Sequence, residues 1–282
     1  MRIGIVGLGL IGGSLGMALG RLDPSVEVTG LTRSPEAAAE AQRRRAVSRA
    51  SSDISVLDGS DVVVLATPID QIPPVLDRLA HLVTSGTVIT DVASVKRPVR
   101  QWVRRIPEPG LFLGGHPVAG KAQSGLGAAD PEIFRDEPWI FTPLEAQNLR
   151  PFEAWLELVR AIDARPFFLS PEDHDRQIAY LSHLAFTVSS AFAEAVRRNA
   201  DPHLGGPGYR SMARLADGDA RMYESISREN REPLIEAIDR FSATLQEFRD
   251  HIERQEQVLE LFQGNLSPSP LRGGSGRGHV AV

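Results

Sequence analysis

Short apolar runs recur along residues 1–169, separated by stretches long enough for one helix each. Residues 2–7 (Arg-Ile-Gly-Ile-Val-Gly), Val26 to Leu31, residues 61–66 (Asp-Val-Val-Val-Leu-Ala) and Thr87 to Asp91 are short, and β-branched residues dominate the central ones. Continuous apolar runs of this length mark strands covered on both faces, as in a parallel sheet. Further strands are predicted at Leu111 to Leu113, Trp139 to Phe141 and Arg165 to Leu169. Between them the pattern predicts helices ending near Arg21, over Pro35 to Arg44, Asp70 to Leu82, Pro98 to Arg105 and Glu145 to Ile162. Strands alternating with helices imply a mostly parallel, doubly wound sheet.

At Ser170 the periodicity changes. Ser170-Pro171-Glu172-Asp173 reads as a helix start, with serine as N-cap, proline in the first turn and acids beside the N-terminal dipole. One long helix is expected from Pro171 to Arg198, then a break at Gly205-Gly206-Pro207-Gly208 and short helices around Arg214 and Met222. The last helix, Arg231 to Phe262, repeats apolar residues at Leu234, Ile238, Phe241, Leu245, Phe248 and Ile252. That heptad-like stripe serves either as a face packed on its own domain or as the seam of a homodimer. The expected organisation is a sheet domain over 1–169, an all-α dimerisation and substrate domain over 170–263, and a disordered Ser/Pro/Gly tail over 264–282.

The first helix is entered through Gly7-Leu8-Gly9-Leu10-Ile11-Gly12, directly after the first strand. This is the spacing of a Rossmann-type dinucleotide turn. The first glycine permits the bend, the second admits the pyrophosphate, and the third lets helix pack on strand. Gly7, Gly9, Leu10, Ile11 and Gly12 are therefore candidate cofactor contacts, joined by Thr67 and Pro68, which end the apolar run over residues 61–66. An NAD-selective site usually carries an acid at the end of the second strand. Here Thr32-Arg33-Ser34 stands in its place. Arg33 suits a 2′-phosphate, with Thr32 and Ser34 as hydroxyl donors, and NADP is the expected cofactor. The alternative for Arg33 is a solvated loop residue.

Composition narrows the chemistry. The 282 residues carry a net charge of -5, are 42% hydrophobic and contain no cysteine. Disulfides, thiolate nucleophiles and cysteine metal sites are excluded, and no metal site is expected. Scattered basic residues give no nucleic-acid surface, and no apolar run reaches membrane-spanning length. With the first strand starting at Arg2, no targeting peptide is expected, and the cytoplasm is the default location. Lys96 and Lys121 are the only lysines, so the helical half supplies none.

Gly114-Gly115-His116-Pro117-Val118-Ala119-Gly120 places one histidine on what reads as a glycine-hinged loop, open to a ligand. Histidine accepts a proton near neutral pH, which suits hydride chemistry beside a dinucleotide site. Ser94 is placed to share a hydrogen bond with His116 or a substrate hydroxyl, or to cap the next helix. Lys96 is either a surface residue or a helper near the cofactor.

Taken together, Asp91-Val92-Ala93-Ser94-Val95-Lys96 and residues 115–125 (Gly-His-Pro-Val-Ala-Gly-Lys-Ala-Gln-Ser-Gly) resemble the prephenate/arogenate dehydrogenases of tyrosine biosynthesis. So do His174-Asp175, Ser182-His183-Leu184, residues 209–216 (Tyr-Arg-Ser-Met-Ala-Arg-Leu-Ala) and Asn230 in the helical half. The resemblance implies oxidative decarboxylation of a cyclohexadiene that bears a ring hydroxyl and a ring carboxylate. By it, His116 and Ser94 are catalytic, Arg214 binds a substrate carboxylate, and His183, Gln123 and Lys121 are further substrate contacts. Arg214 as an interdomain ion-pair partner and His183 as a core histidine stay open, and His174 reads as structural. NADP and the two-domain architecture lean the reading to arogenate, with prephenate as the alternative. A β-hydroxyacid dehydrogenase needs a lysine in the helical half, which is lacking; a non-catalytic NADP-binding module leaves Ser94, His116 and Arg214 unexplained. Ser211, Ala213 and Tyr223 depart from the family's acid, threonine and tryptophan at those positions.

Overall fold

The computed structural model describes residues 1–84, 86–106, 111–121, 123–255 and 258–264. The predicted disordered tail beyond Gly264 lies outside the described residues.

Among these residues the strands are β1 (Arg2–Val6), β2 (Glu27–Leu31), β3 (Arg49–Ser51), β4 (Val62–Leu65), β5 (Val88–Asp91), β6 (Phe112–Pro117), β7 (Pro138–Thr142) and β8 (Arg165–Phe168). They form one sheet in the order β3-β2-β1-β4-β5-β6-β7-β8, parallel except where β6 meets β7. Helices α1 (Leu10–Leu22), α2 (Pro35–Arg43), α3 (Ile72–Leu79), α4 (Arg97–Trp102) and α5 (Glu153–Ala161) flank it. Burial explains the unbroken apolar strands. Val62 and Val64 pack with Leu15, Leu19 and Trp155, whereas Val63 and Leu65 pack with Ile72, Leu76 and Val99. Alternate residues serve opposite layers, so no polar position is left over. The order reverses at β1, and the crevice beyond the strand ends at such a switch is where doubly wound sheets bind ligands.

Three predicted boundaries shift. The helix expected from Glu145 begins at Glu153, because Pro151 sits in a 3₁₀ turn, Arg150–Phe152, and cannot donate into an earlier helical turn. The expected Asp70–Leu82 helix shortens to Ile72–Leu79 behind a 3₁₀ turn at Ile69–Gln71. Strand β6 runs through Pro117, so His116 belongs to a strand and not to a loop.

From Ser170 onward every regular element among the described residues is helical: α6 (Pro171–Ile178), a π-helical turn (Ala179–His183), α7 (Leu184–Asn199), α8 (Pro207–Ala213), α9 (Ala220–Glu229), α10 (Arg231–Arg254) and α11 (Val258–Gly264). Ser170 caps α6 as expected, accepting from the Asp173 amide at 3.0 Å. The last helix is not continuous to Phe262. It ends at Arg254, and Gln255 takes a positive φ of 58°. The chain divides into two compact units, residues 1–234 and 235–282, with the boundary inside α10. The first therefore contains α6 to α9 together with the sheet. In the second, Phe241, Leu245 and Ile252 of the predicted stripe remain exposed.

Candidate active site

The glycine turn has the shape its spacing predicts. Gly7 sits at φ +94°, where a side chain would be strained and would meet the Ala66 carbonyl at 2.7 Å. A Cβ on Gly12 would lie 2.0 Å from the Gly7 carbonyl, so helix and turn touch only because it is absent. Around Gly9 there is open space. Gly9 is also the N-cap of α1, with no side-chain cap and no acid in the first turn. Uncapped amides at Leu10 and Ile11 beside an open glycine fit the phosphates of a dinucleotide. Thr67 and Pro68 follow β4 at the same sheet edge, and the Thr67 hydroxyl is buried without a partner among the described residues. The second-strand end is less free than expected. Thr32 spends its proton on the Ser34 carbonyl (2.9 Å), and Ser34 caps α2 by accepting from the Ala37 amide. Arg33 alone is exposed and without an ion pair among the described residues.

His116 is buried in β6, its Nδ1 2.8 Å from Nε2 of His174. His174 in turn places Nδ1 2.8 Å from Oδ1 of Asp175. Both oxygens of Asp175 also accept backbone amides, from Lys96 at 2.7 Å and Arg97 at 2.9 Å. An acid from α6 thereby takes the free amides at the start of α4, and Ser94 does not cap that helix. The direction of this chain can be assigned. Asp175 acts as acceptor, so His174 donates from Nδ1 and accepts at Nε2. His116 must then donate from Nδ1. Its Nε2 is left as a lone pair, the form a proton acceptor needs.

Charge reinforces the assignment. Burial holds His116 well below its ordinary pKa, and Lys96 and any proton on His174 or His183 push the same way. His174 is also lowered by burial, against the opposing pull of Asp175. A neutral His116 at physiological pH follows. Lys96 is neither at the surface nor free. It is buried, ion-paired with Asp91, and donates from Nζ to the Gly115 carbonyl at 2.6 Å. The other oxygen of Asp91 accepts from the Gly115 amide at 3.2 Å. The glycines beside His116 serve this packing and do not open a path for ligands: a Cβ on Gly114 would meet Thr142 Oγ1 at 2.3 Å, and on Gly115 the Asp91 carbonyl at 2.7 Å.

His183 joins the cluster through Asn230, whose Nδ2 lies 3.2 Å from His183 Nδ1 and 2.8 Å from the Asp175 carbonyl. Burial lowers His183 to about 4. The remaining candidates are not drawn into this network. Ser94 is half-buried and forms no hydrogen bond among the described residues, with His116 or otherwise. Lys121 is ion-paired to Asp130 at 2.8 Å, and Gln123 is exposed. Arg214 is exposed and makes no ion pair among the described residues. Tyr223 stacks on Phe186 with ring centroids 3.5 Å apart. Sequence reasoning missed Asp91 and Asp175 and placed His174 outside the chemistry. Both acids stand in motifs quoted above, but without a role.

Sheet, glycine turn and a buried, neutral histidine wired to an acid define the class: a nucleotide-binding dehydrogenase with a helical second half. Residues 15–167 match "Prephenate dehydrogenase, nucleotide-binding domain" and residues 170–264 match "Prephenate dehydrogenase, dimerization domain". The chain belongs to the prephenate dehydrogenase family. It is 29% identical to the prephenate dehydrogenase of Bacillus subtilis over 92% of this chain and 72% of that protein. With the cyclohexadienyl dehydrogenase of Zymomonas mobilis it shares 27% identity over 93% of this chain and 92% of the other. Among solved structures, Synechocystis arogenate dehydrogenase superposes with a TM-score of 0.79 at 29% identity, covering 94% of this chain and 96% of that one. The fold is also that of Aquifex aeolicus prephenate dehydrogenase in complex with hydroxyphenyl propionate and NAD+ (TM-score 0.87, 24% identity, 94% and 96% covered).

Proposed function

We propose that this chain is a cytoplasmic homodimer that oxidatively decarboxylates arogenate to tyrosine with NADP, prephenate being the slower substrate. The observation that carries the reading is the hydrogen-bond chain from His116 through His174 to Asp175, which presents a lone pair at His116 Nε2. A nicotinamide cofactor held by the Gly7–Gly12 turn and the end of β4 supplies the hydride acceptor. His116 takes the proton from the ring hydroxyl at Nε2 as the carbon-bound hydrogen leaves as hydride. The carbon–carboxylate bond then breaks, its electron pair enters the ring, and carbon dioxide departs. Aromatisation provides the driving force, so the protein has to orient reactants and accept one proton. Arg214, exposed and without an ion pair among the described residues, binds a substrate carboxylate through its planar fork. His183, Gln123 and Lys121 are further substrate contacts, and Ser94 orients the hydroxyl. Arg33 meets the 2′-phosphate, and relatives named for arogenate and for prephenate are equally similar at 29% identity. Residues 235–262 carry the exposed apolar stripe that pairs two copies, in keeping with the dimerization-domain match.

His116→Asn tests the proton acceptor. Turnover is expected to fall by about 10²–10⁴, with substrate and cofactor still bound in calorimetry. Normal turnover would remove His116 from the chemistry. Steady-state kinetics with both substrates and both cofactors test the finer reading. Equal efficiency with NAD or faster use of prephenate would replace it.

A further inference from the structure

The proton on His183 can be located from its neighbours. The Asp175 backbone carbonyl only accepts, so the Asn230 atom 2.8 Å away is the amide nitrogen. The same nitrogen lies 3.2 Å from His183 Nδ1, which therefore receives a hydrogen bond and carries no proton. In a neutral imidazole the proton then sits on Nε2. That atom is buried and has no partner among the described residues. Leaving a buried donor unmade costs about 1–3 kcal/mol, which sets it apart as a group kept for an acceptor from outside the chain.

The backbone is adjusted to make this contact. His183 follows Asp175 by eight positions, about 80° round the axis of an uninterrupted α-helix. The π-helical turn at Ala179–His183 acts as a one-residue insertion and brings His183 back to within about 20° of Asp175. One asparagine on the neighbouring segment can then reach both. Asn230 is itself fixed by its place between α9 and α10 and is fully buried.

We propose that Asn230, acting over the π-helical turn, is a positioning residue that locks His183 as a neutral Nε2–H donor to an acceptor oxygen of the anionic substrate. The inference rests on the dehydrogenase reading above and adds to it a residue that touches neither substrate nor cofactor. The low pKa of His183 keeps the ring neutral, so it offers one donor and no charge.

Nitrogen-15 NMR of the full chain labelled at histidine, with the His183 signals assigned through His183→Gln, reads the tautomer directly. In the wild type Nδ1 is expected unprotonated and Nε2 protonated from about pH 5.5 to 8. Asn230→Asp replaces the donor by an acceptor. It should move the proton to Nδ1, raise the titration of His183, and raise KM about tenfold, by a larger factor than kcat falls. A wild-type Nδ1–H tautomer, or titration of His183 near 6.5, overturns the proposal without any variant having to fold. A tautomer that flips in Asn230→Asp with KM unchanged overturns the donor role. Failure of the reaction reading shows separately, as absent turnover of both arogenate and prephenate by the wild type.

Discussion

Asp175 ties together more of the site than its exposure-free position would suggest: the backbone amides of Lys96 and Arg97 where α4 begins, one imidazole, and through its carbonyl Asn230. Asp175→Asn keeps the size but puts an NH₂ where His174 or an amide expects an acceptor. The chain of donors then runs the wrong way and His116 loses its lone pair. Turnover is expected to fall a hundredfold or more, as when a catalytic histidine is held in the wrong tautomer. Single-turnover kinetics check this, and wild-type rates would show that the orientation of the chain is irrelevant. None of this was legible residue by residue. His116 announces itself by local glycines, but its partner lies 58 positions away and the acid that caps Lys96 lies 79 away, so no spacing connects them. Lys96 illustrates the same limit. A lone lysine beside a helix start gives no hint that Asp91 and Gly115 enclose it.

Elements were easier to read than side-chain pairs. Buried parallel strands must be apolar throughout, and the Ser-Pro-acid start of α6 satisfies helix amides in a fixed order. The π-helical turn left no trace, because an inserted residue preserves the apolar content while shifting the phase. The glycine turn supports a contrast between two elements that share it. Gly12→Ala forces a Cβ against the Gly7 carbonyl and should lower stability by several kcal/mol in denaturant unfolding. Gly9→Ala meets nothing in the protein itself, so stability should hold within about 0.5 kcal/mol while cofactor affinity drops. Equal loss of cofactor affinity and stability in the Gly9 variant would mean that the open space is not a binding surface.

At the scale of the whole molecule, three buried histidines bias stability in one direction. His116, His174 and His183 all sit below the ordinary value of 6.5, His183 at about 4. The unfolded chain binds protons that the folded one refuses, so stability is fully present above about pH 6.5 and declines as pH falls towards 4. His183 alone contributes at most about 3 kcal/mol to that slope. Urea unfolding at pH 7.5 and pH 5 measures it, and flattening is expected in His183→Gln. Stability unchanged between the two conditions would mean that the cluster is hydrated in solution. The two-half organisation itself was visible in the shift of periodicity at Ser170. That the first compact unit extends to Leu234 was not, since it follows from contacts such as Asn230 with Asp175.

Because a single carboxylate closes the first turn of α4 and also aims the imidazole ring of His174, local fraying and loss of catalysis share one cause. Solvent exchange at the Arg97 amide is therefore a gauge of competence: molecules in which that hydrogen is unprotected are the ones whose base has come unaimed.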